Sequence, residues 1–137
     1  MQALKWSTES NSVYLPDIDQ EHQSIFQMTE EIRQALQADV RVETVEPKIR
    51  ELIAHAGGHF AHEEKMMKSR RYPGYSWHKG QHNVVRSKVA ALDQATRHGD
   101  RDAILFLLDF LSAWLQTHTA VSDRMMGAYL RNSRKHR

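Results

Sequence analysis

An all-α fold, arranged as an antiparallel up-and-down four-helix bundle with a packed N-terminal arm, follows from three observations on this sequence. Apolar residues recur with the helical period almost everywhere after residue 17. No run alternates with the strand period, and no Gly-rich phosphate loop or long biased linker interrupts the chain. The apolar stripes fall into four stretches joined by short turns, and a bundle is the economical way to bury one face of each. At 137 residues the chain is expected to form a single domain over 1–137, large enough for a real core without disulfides.

The elements are expected as follows. Residues 1–16 show no helical period, but Trp6, Tyr14 and Leu15 suit an arm packed against the bundle, since disordered tails are poor in such residues. The first helix, about 17–38, carries Ile18, His22, Ile25, Ile32 and Leu36, with Asp17 and Gln20 as a capping pair. The second, about 44–70, runs through Val45, Ile49, Leu52, His59, Phe60, Glu63 and Met67; Thr44 is its expected cap, and Pro47 is tolerated in the opening turn. Pro73-Gly74 breaks the chain before the third, about 75–98, which carries His78, His82, Val85, Val89 and Leu92 and ends near Gly99. The fourth, about 100–131, is capped by Asp100 and carries Ile104, Leu107, Leu108, Leu111, Trp114, Leu115, His118, Val121 and Met125.

Composition narrows the function classes. The chain has no cysteine, which excludes thiolate metal sites, iron–sulfur clusters and disulfide frameworks and suits a reducing interior. Neither a secretory signal nor a run near the ~20 apolar residues of a membrane span is visible, so a cytoplasmic chain with no membrane association is expected. The net charge of +2 gives no reason to expect nucleic acid. The basic tail of Arg131, Arg134, Lys135 and Arg137 is a weak exception, and a solvated helix end is the more economical account of it.

Seven residues carry the chemistry: His22, His59, Glu63, His78, His82, His118 and Asp123. His59 and Glu63, and likewise His78 and His82, are four apart and share a helix face. His118 and Asp123 are five apart, about 140° around an ideal helix, so they need a long reach or a local irregularity to meet at one centre. A lone histidine on an apolar stripe is usually a hydrogen-bonded core residue. Here six of the seven fall in inward-facing stripes, and so many buried polar groups cost several kcal/mol unless cations compensate them. Imidazole with carboxylate suits iron, zinc, copper or nickel, and the set suffices for two adjacent ions. Ferritin-like Glu-x-x-His pairs and the His-Glu-x-x-His zinc motif are both absent.

The set closely resembles the hemerythrin family, in particular bacterial hemerythrins. The resemblance runs through the Trp6 region, Ile18-Asp19-Gln20-Glu21-His22-Gln23, His59-Phe60-Ala61-His62-Glu63-Glu64 with Met67, Tyr72-Pro73, His78 with His82, and Trp114-Leu115 with His118 and Asp123. It implies two iron ions and no haem, bridged by Glu63, Asp123 and an oxo or hydroxo group. His78, His82 and His118 would hold one iron, and His22 and His59 the other, which keeps a vacant position. In the family dioxygen binds there, takes two electrons from the iron pair and returns them on release. Ile25, Phe60, Trp114, Leu115 and Thr119 match the family's dioxygen pocket. Thr119 departs from the large aliphatic usual after the last histidine, and a hydroxyl there would favour faster oxidation of the iron pair.

The function expected is thus reversible binding of dioxygen or another small diatomic for storage, delivery or buffering, without enzymatic turnover, and compatible with a protein partner that receives the oxygen. A redox enzyme reducing peroxide or nitric oxide, or a sensor of oxygen, nitric oxide or redox state, would use the same seven ligands. His55 is expected at the surface or behind the ligands, about 80° around the helix from Glu63, His62 faces away from them, and Met66, Met67, Met125 and Met126 suit either the lining of a gas path or, as such residues more commonly do, flexible core filling.

Overall fold

The computed structural model describes residues 4–135, all of whose regular elements are helices. A one-turn helix α1, Thr8–Asn11, lies in the arm; α2 spans Pro16–Gln37, α3 Val42–Ser69, α4 Tyr75–Arg97, α5 Arg101–Ala120 and α6 Ser122–Lys135. The helix expected over about 100–131 is therefore two, divided at Val121, whose φ of −117° and ψ of −70° are displaced from regular α-helical values. The arm also holds a helical turn that its sequence period did not announce, closed by the Ser7 hydroxyl accepting from Ser10 N–H.

The helix starts differ from the cap residues read in the sequence. Leu15 precedes α2 and Pro16 opens it, so Asp17 sits inside the first turn, where its charge still suits the helix dipole. Arg41 precedes α3, so Thr44 is inside the helix and Pro47 is its sixth residue, beyond the opening turn, where it supplies no N–H to the Glu43 carbonyl. Asp100 does cap α5, accepting from Ala103 N–H at 3.2 Å. Three helices end in the same way, with crossed hydrogen bonds that return Val40 N–H to Ala35, Tyr72 N–H to Met67 and Asp100 N–H to Ala95. That ending puts one residue in the left-handed region: Asp39 at φ 62°, Arg71 at 56° and Gly99 at 74°.

Short turns make successive helices antiparallel, and α2 through α5 close a ring in which α2 packs on α3, α3 on α4, α4 on α5 and α5 back on α2. One apolar cluster fills the end of the bundle built by Ile32, Leu36, Val45, Leu52, Ile104 and Leu108. A second cluster, of Val13, Leu15, Ile18, Met67, Met126 and Leu130, closes the opposite end beneath α6. His22, His59, Glu63, His78, His82, His118 and Asp123 lie on the helix segments between these clusters and are all buried. Met67 and Met126 are packing residues of the second cluster, while Met125 is exposed.

The arm is tied down by polar contacts as much as by apolar ones. Leu4 is buried and Trp6 packs on the main core. Tyr14, expected to pack inward, is exposed at φ 57° with the Arg131 guanidinium over its ring, and Val13 takes the inward place. Asp19 accepts from Ser12 Oγ (2.6 Å) and Val13 N–H (2.9 Å). Arg124 donates to the Ser12 carbonyl and Arg131 to that of Val13, so α6 uses one of its expected tail cations to hold the arm. Gly127 lets the arm and α6 approach: a Cβ there would lie 2.8 Å from the Val13 oxygen. Arg137 lies outside the described residues.

Taken across the break at Val121, Arg101–Ser133 is long and apolar enough to meet the length and composition needs of a membrane span, although it contains no uninterrupted apolar run of that length. Its apolar side chains Ile104, Leu107, Leu108, Leu111 and Leu115 are buried in the bundle core.

The left-handed C-terminal positions carry a direct test. Arg71→Gly is expected to stabilise the fold by up to about 1 kcal/mol, and Gly99→Ala to destabilise it by about as much, because a Cβ is disfavoured in that conformation. Urea unfolding midpoints of the two variants read this, and equal midpoints would show that the turns bear no such strain.

Candidate metal centre

The seven side chains come from five helices and meet at one place. α2 supplies His22, α3 His59 and Glu63, α4 His78 and His82, α5 His118 and α6 Asp123. The step from His118 to Asp123, too wide for an unbroken helix, works because Val121 interrupts it. Its amide still bonds back to Thr117, but α6 starts afresh from Ser122 and turns Asp123 inward. Glu63 and Asp123 are both at 0% exposure.

The oxygens divide the cluster into two halves. Glu63 Oε2 lies 2.9 Å from His59 Nε2 and 3.3 Å from His22 Nε2, and Asp123 Oδ2 lies 3.0 Å from His22 Nε2. Glu63 Oε1 lies 3.2 Å from His78 Nε2 and 3.1 Å from His82 Nε2, while Asp123 Oδ1 lies 3.0 Å from both His78 Nε2 and His118 Nε2. Each carboxylate thus faces both halves, with two histidines on one side and three on the other.

The donor set fits a pair of cations. Glu63 Oε2, both Asp123 oxygens, His22 Nε2 and His82 Nε2 are buried without a hydrogen bond, although they lie near one another. Such atoms cost several kcal/mol when nothing compensates their lost hydration, and cations set among them would do so.

A surrounding layer, not singled out in the sequence reading as site residues, fixes the rings. His59 Nδ1 donates to Glu21 Oε1 (2.6 Å), His82 Nδ1 to Glu64 Oε2 (2.8 Å) and His118 Nδ1 to Gln81 Oε1 (2.7 Å). With the hydrogen on Nδ1, Nε2 of each ring keeps its lone pair for a cation. Arg86 grips both oxygens of Glu64, and Ser122 Oγ donates to Gln81, so the restraints are themselves restrained. The available signal was adjacency: Glu21, Glu64 and Gln81 are each next to a ligand in sequence. His62, half-exposed, donates to the other oxygen of Glu21 at 2.8 Å. His55 lies with Glu21, Ile25 and His59 along a surface hollow of about 370 Å³ between α2 and α3.

Electrostatics show what the cluster does without metal. Burial opposes charge on His22, but Asp123 and Glu63 outweigh it and lift its pKa to about 9. Burial acts likewise on His59, which Glu63 and Glu21 lift to about 10, and on His78, which Asp123 and Glu63 lift to about 9. For His118 burial prevails and its pKa falls. Burial also favours protonation of Glu63 and Asp123, yet the facing imidazoles hold both carboxyls below their usual range. Protons on three histidines then do the neutralising that cations would otherwise do.

Of the five residues matched to a gas pocket, Ile25, Phe60 and Leu115 belong to the main apolar cluster, and Trp114 packs against it. Phe60 stacks on His82 (centroids 4.1 Å apart, 10° between planes) and Trp114 on His118 (4.1 Å, 14°), so both lie against the three-histidine half. Ile25, Leu115 and Thr119 are buried. The Thr119 hydroxyl donates to the Leu115 carbonyl (2.8 Å) and accepts from Asn11 Nδ2 (2.8 Å), an arm residue absent from the sequence reading of the site. The hydroxyl hydrogen is thus directed at the backbone of its own helix.

Comparison with known proteins agrees with this geometry. The family model of the hemerythrin HHE cation binding domain matches residues 14–130. A bacteriohemerythrin of Stenotrophomonas maltophilia (strain R551-3) is 31% identical over 124 residues, 90% of this chain and 79% of that protein. One from Methylococcus capsulatus (strain ATCC 33009 / NCIMB 11132 / Bath) is 23% identical over 130 residues, 95% of this chain and 98% of the relative. In fold, the chain superposes on a crystal structure of a hemerythrin with a leucine-to-tyrosine substitution at a TM-score of 0.83 and 22% identity, covering 95% of this chain and 98% of that one. Since the matched span takes in all seven converging side chains, the chain belongs to the hemerythrin family.

Proposed function

We propose that the protein binds dioxygen reversibly at a non-haem di-iron centre held by His22, His59, Glu63, His78, His82, His118 and Asp123. The observation that carries this reading is the uneven division of the cluster: both carboxylates face both halves, but three imidazoles serve one and two the other. With the carboxylates shared, the two-histidine half is one ligand short and offers a position to a small neutral molecule. Bound iron would supply that position and the electrons exchanged with the gas.

The chain's own residues supply exclusion and rigidity. Apolar clusters on both sides of the cluster keep it from bulk water, and an ionic substrate would have to shed its hydration to reach it. Glu21, Glu64 and Gln81 each face an Nδ1 and hold a ligand ring, so these polar groups position the site and do not act on a substrate. This favours binding over turnover.

Protein loaded with iron(II) under nitrogen is expected to take up about one dioxygen per iron pair and to return it when the gas is flushed away. Optical spectra across several cycles measure this. Irreversible oxidation with release of peroxide in the first cycle would overturn the proposal in favour of an enzyme or a redox sensor.

A second prediction concerns protons. His22, His59 and His78 have pKa values raised above the unfolded value near 6.5, so in metal-free protein their contribution to stability is complete below about 6.5 and disappears as pH rises through about 9 to 10. Metal-free protein should accordingly melt at progressively lower temperature over that interval, while metal-loaded protein should not. Anaerobic iron(II) loading near pH 7 should release about three protons, detected with an indicator dye in weak buffer. Parallel melting curves and no proton release would show that the histidines are neutral before the metal binds.

A further inference from the structure

The surface hollow between α2 and α3, about 370 Å³, has one wall made by a ligand ring: His59 lines it together with Glu21, Ile25, His55 and Gly58. His59 is also the most exposed of the seven converging side chains, at 5% against 0–3% for the others. Its two nitrogens face opposite ways. Nδ1 meets Glu21 Oε1 at 2.6 Å on the side of the hollow, and Nε2 meets Glu63 Oε2 at 2.9 Å inside the cluster. One ring therefore stands between the hollow and the two-histidine half. Outside it, Glu21 and His62 lie 2.8 Å apart and are 35% and 38% exposed, so a carboxylate and an imidazole face water next to a ligand. Gly58, in the same wall, has no packing reason to be glycine. It sits in the interior of α3, where glycine disfavours the helix, and a Cβ there would meet nothing within 4 Å. What the missing side chain leaves is the space of the hollow.

We propose that this hollow is the port through which divalent cations enter and leave the buried centre, with Glu21 and His62 receiving the ion and the His59 ring passing it inward to Glu63. This rests on the cluster holding cations and not on the binding of dioxygen. A hydrated cation cannot cross apolar side chains, but it can exchange its water stepwise for carboxylate oxygen and imidazole nitrogen, and Glu21, His62 and His59 offer these in succession. Two other hollows come near the cluster, and charge decides against both. One of about 370 Å³ between α3 and α4 reaches Phe60, and there the Arg86 guanidinium, 5.5 Å from the ring centroid, repels a cation. One of about 510 Å³ beside α5 touches His118, but its lining of Trp77, Phe110, Trp114 and Val121 includes no carboxylate, and the Trp114 ring covers that ligand. The hollow at His59 has a carboxylate in its wall and no Lys or Arg. A neutral gas would gain nothing from that carboxylate, whereas a cation would.

The test is metal exchange on the full chain with zinc(II), which has no redox chemistry: uptake by metal-free protein, and release from loaded protein to an excess of chelating dye, both followed by stopped flow. Gly58→Leu, which fills the hollow, should slow uptake and release by about tenfold, the scale of forcing a packed side chain aside, with the zinc bound per chain at equilibrium unchanged. Gly57→Leu is the control. It adds the same side chain one residue away, where a Cβ also meets nothing within 4 Å, but borders the hollow between α3 and α4 instead, and both rates should stay at the parental values. Both variants should raise the melting temperature, because leucine favours the helix over glycine, so slower exchange in one of them alone does not come from stability. Glu21→Gln keeps an acceptor for His59 but removes the charge, and should slow uptake by about tenfold. Equal rates in the two leucine variants, or uptake unaffected by Glu21→Gln, would overturn the port while leaving the centre in place. A parent that takes up no zinc would overturn the port and the centre together. A second measurement needs no variant: in the zinc-loaded parent, a trace of manganese(II), which is paramagnetic, should broaden the nuclear magnetic resonance signals of Glu21, Gly58 and His62. Signals there that stay sharp would overturn the assignment even if a variant fails to fold.

Discussion

Two carboxylates removed completely from water are the constraint on which the rest of this structure depends. Glu63 and Asp123 lie at 0% exposure between two apolar clusters, where an uncompensated charge is far too costly for a marginally stable fold. Every helix of the bundle answers them. Imidazoles from α2, α3, α4 and α5 turn their Nε2 atoms toward these four oxygens, and positive charge, carried by protons or by metal, must sit among them. A bundle with an entirely apolar centre would be easier to fold. This one spends its central layer on an arrangement that has a purpose only when cations are brought to it.

The restraints on the imidazoles are as deliberate as the imidazoles themselves. Glu21, Glu64 and Gln81 come from helix positions beside the ligands and hold the far nitrogen of three rings, and Arg86 and Ser122 hold two of these three in turn. His22 and His78 have no such partner, and Nδ1 of each is buried without a hydrogen bond among the described residues. Three rings are thus held by polar contacts and two by packing, and each half of the cluster contains one of the latter.

Much of this was legible in the sequence, and the misses have physical causes. The apolar period located the four long helices, and the four-residue steps from His59 to Glu63 and from His78 to His82 located shared faces because regular helices obey that geometry. The step from His118 to Asp123 announced an irregularity without saying where. Its site, Val121, is neither glycine nor proline, so no residue type marked the place. Caps were misassigned at Asp17 and Thr44 because a capping residue is recognised by backbone dihedrals, which a favourable residue type does not guarantee. Tyr14 was expected inward and Val13 lies there instead, because a left-handed residue in the arm changes which side chain faces the bundle, and nothing in composition shows that. Asn11 was invisible for a different reason: its partner, Thr119, lies 108 residues away.

The stacking of Trp114 on His118 has an optical consequence. An indole 4.1 Å from the His118 ring, and nearly parallel to it, sits well within the range over which an excited tryptophan would lose its energy to an absorbing metal in the cluster. Trp6, packed in the main core, and Trp77, half exposed on α4, stack on none of the ligand rings. The ultraviolet emission of Trp114 would therefore darken as an absorbing metal fills the cluster and brighten as it leaves, which gives the molecule a built-in gauge of its own occupancy that needs no label and no gas.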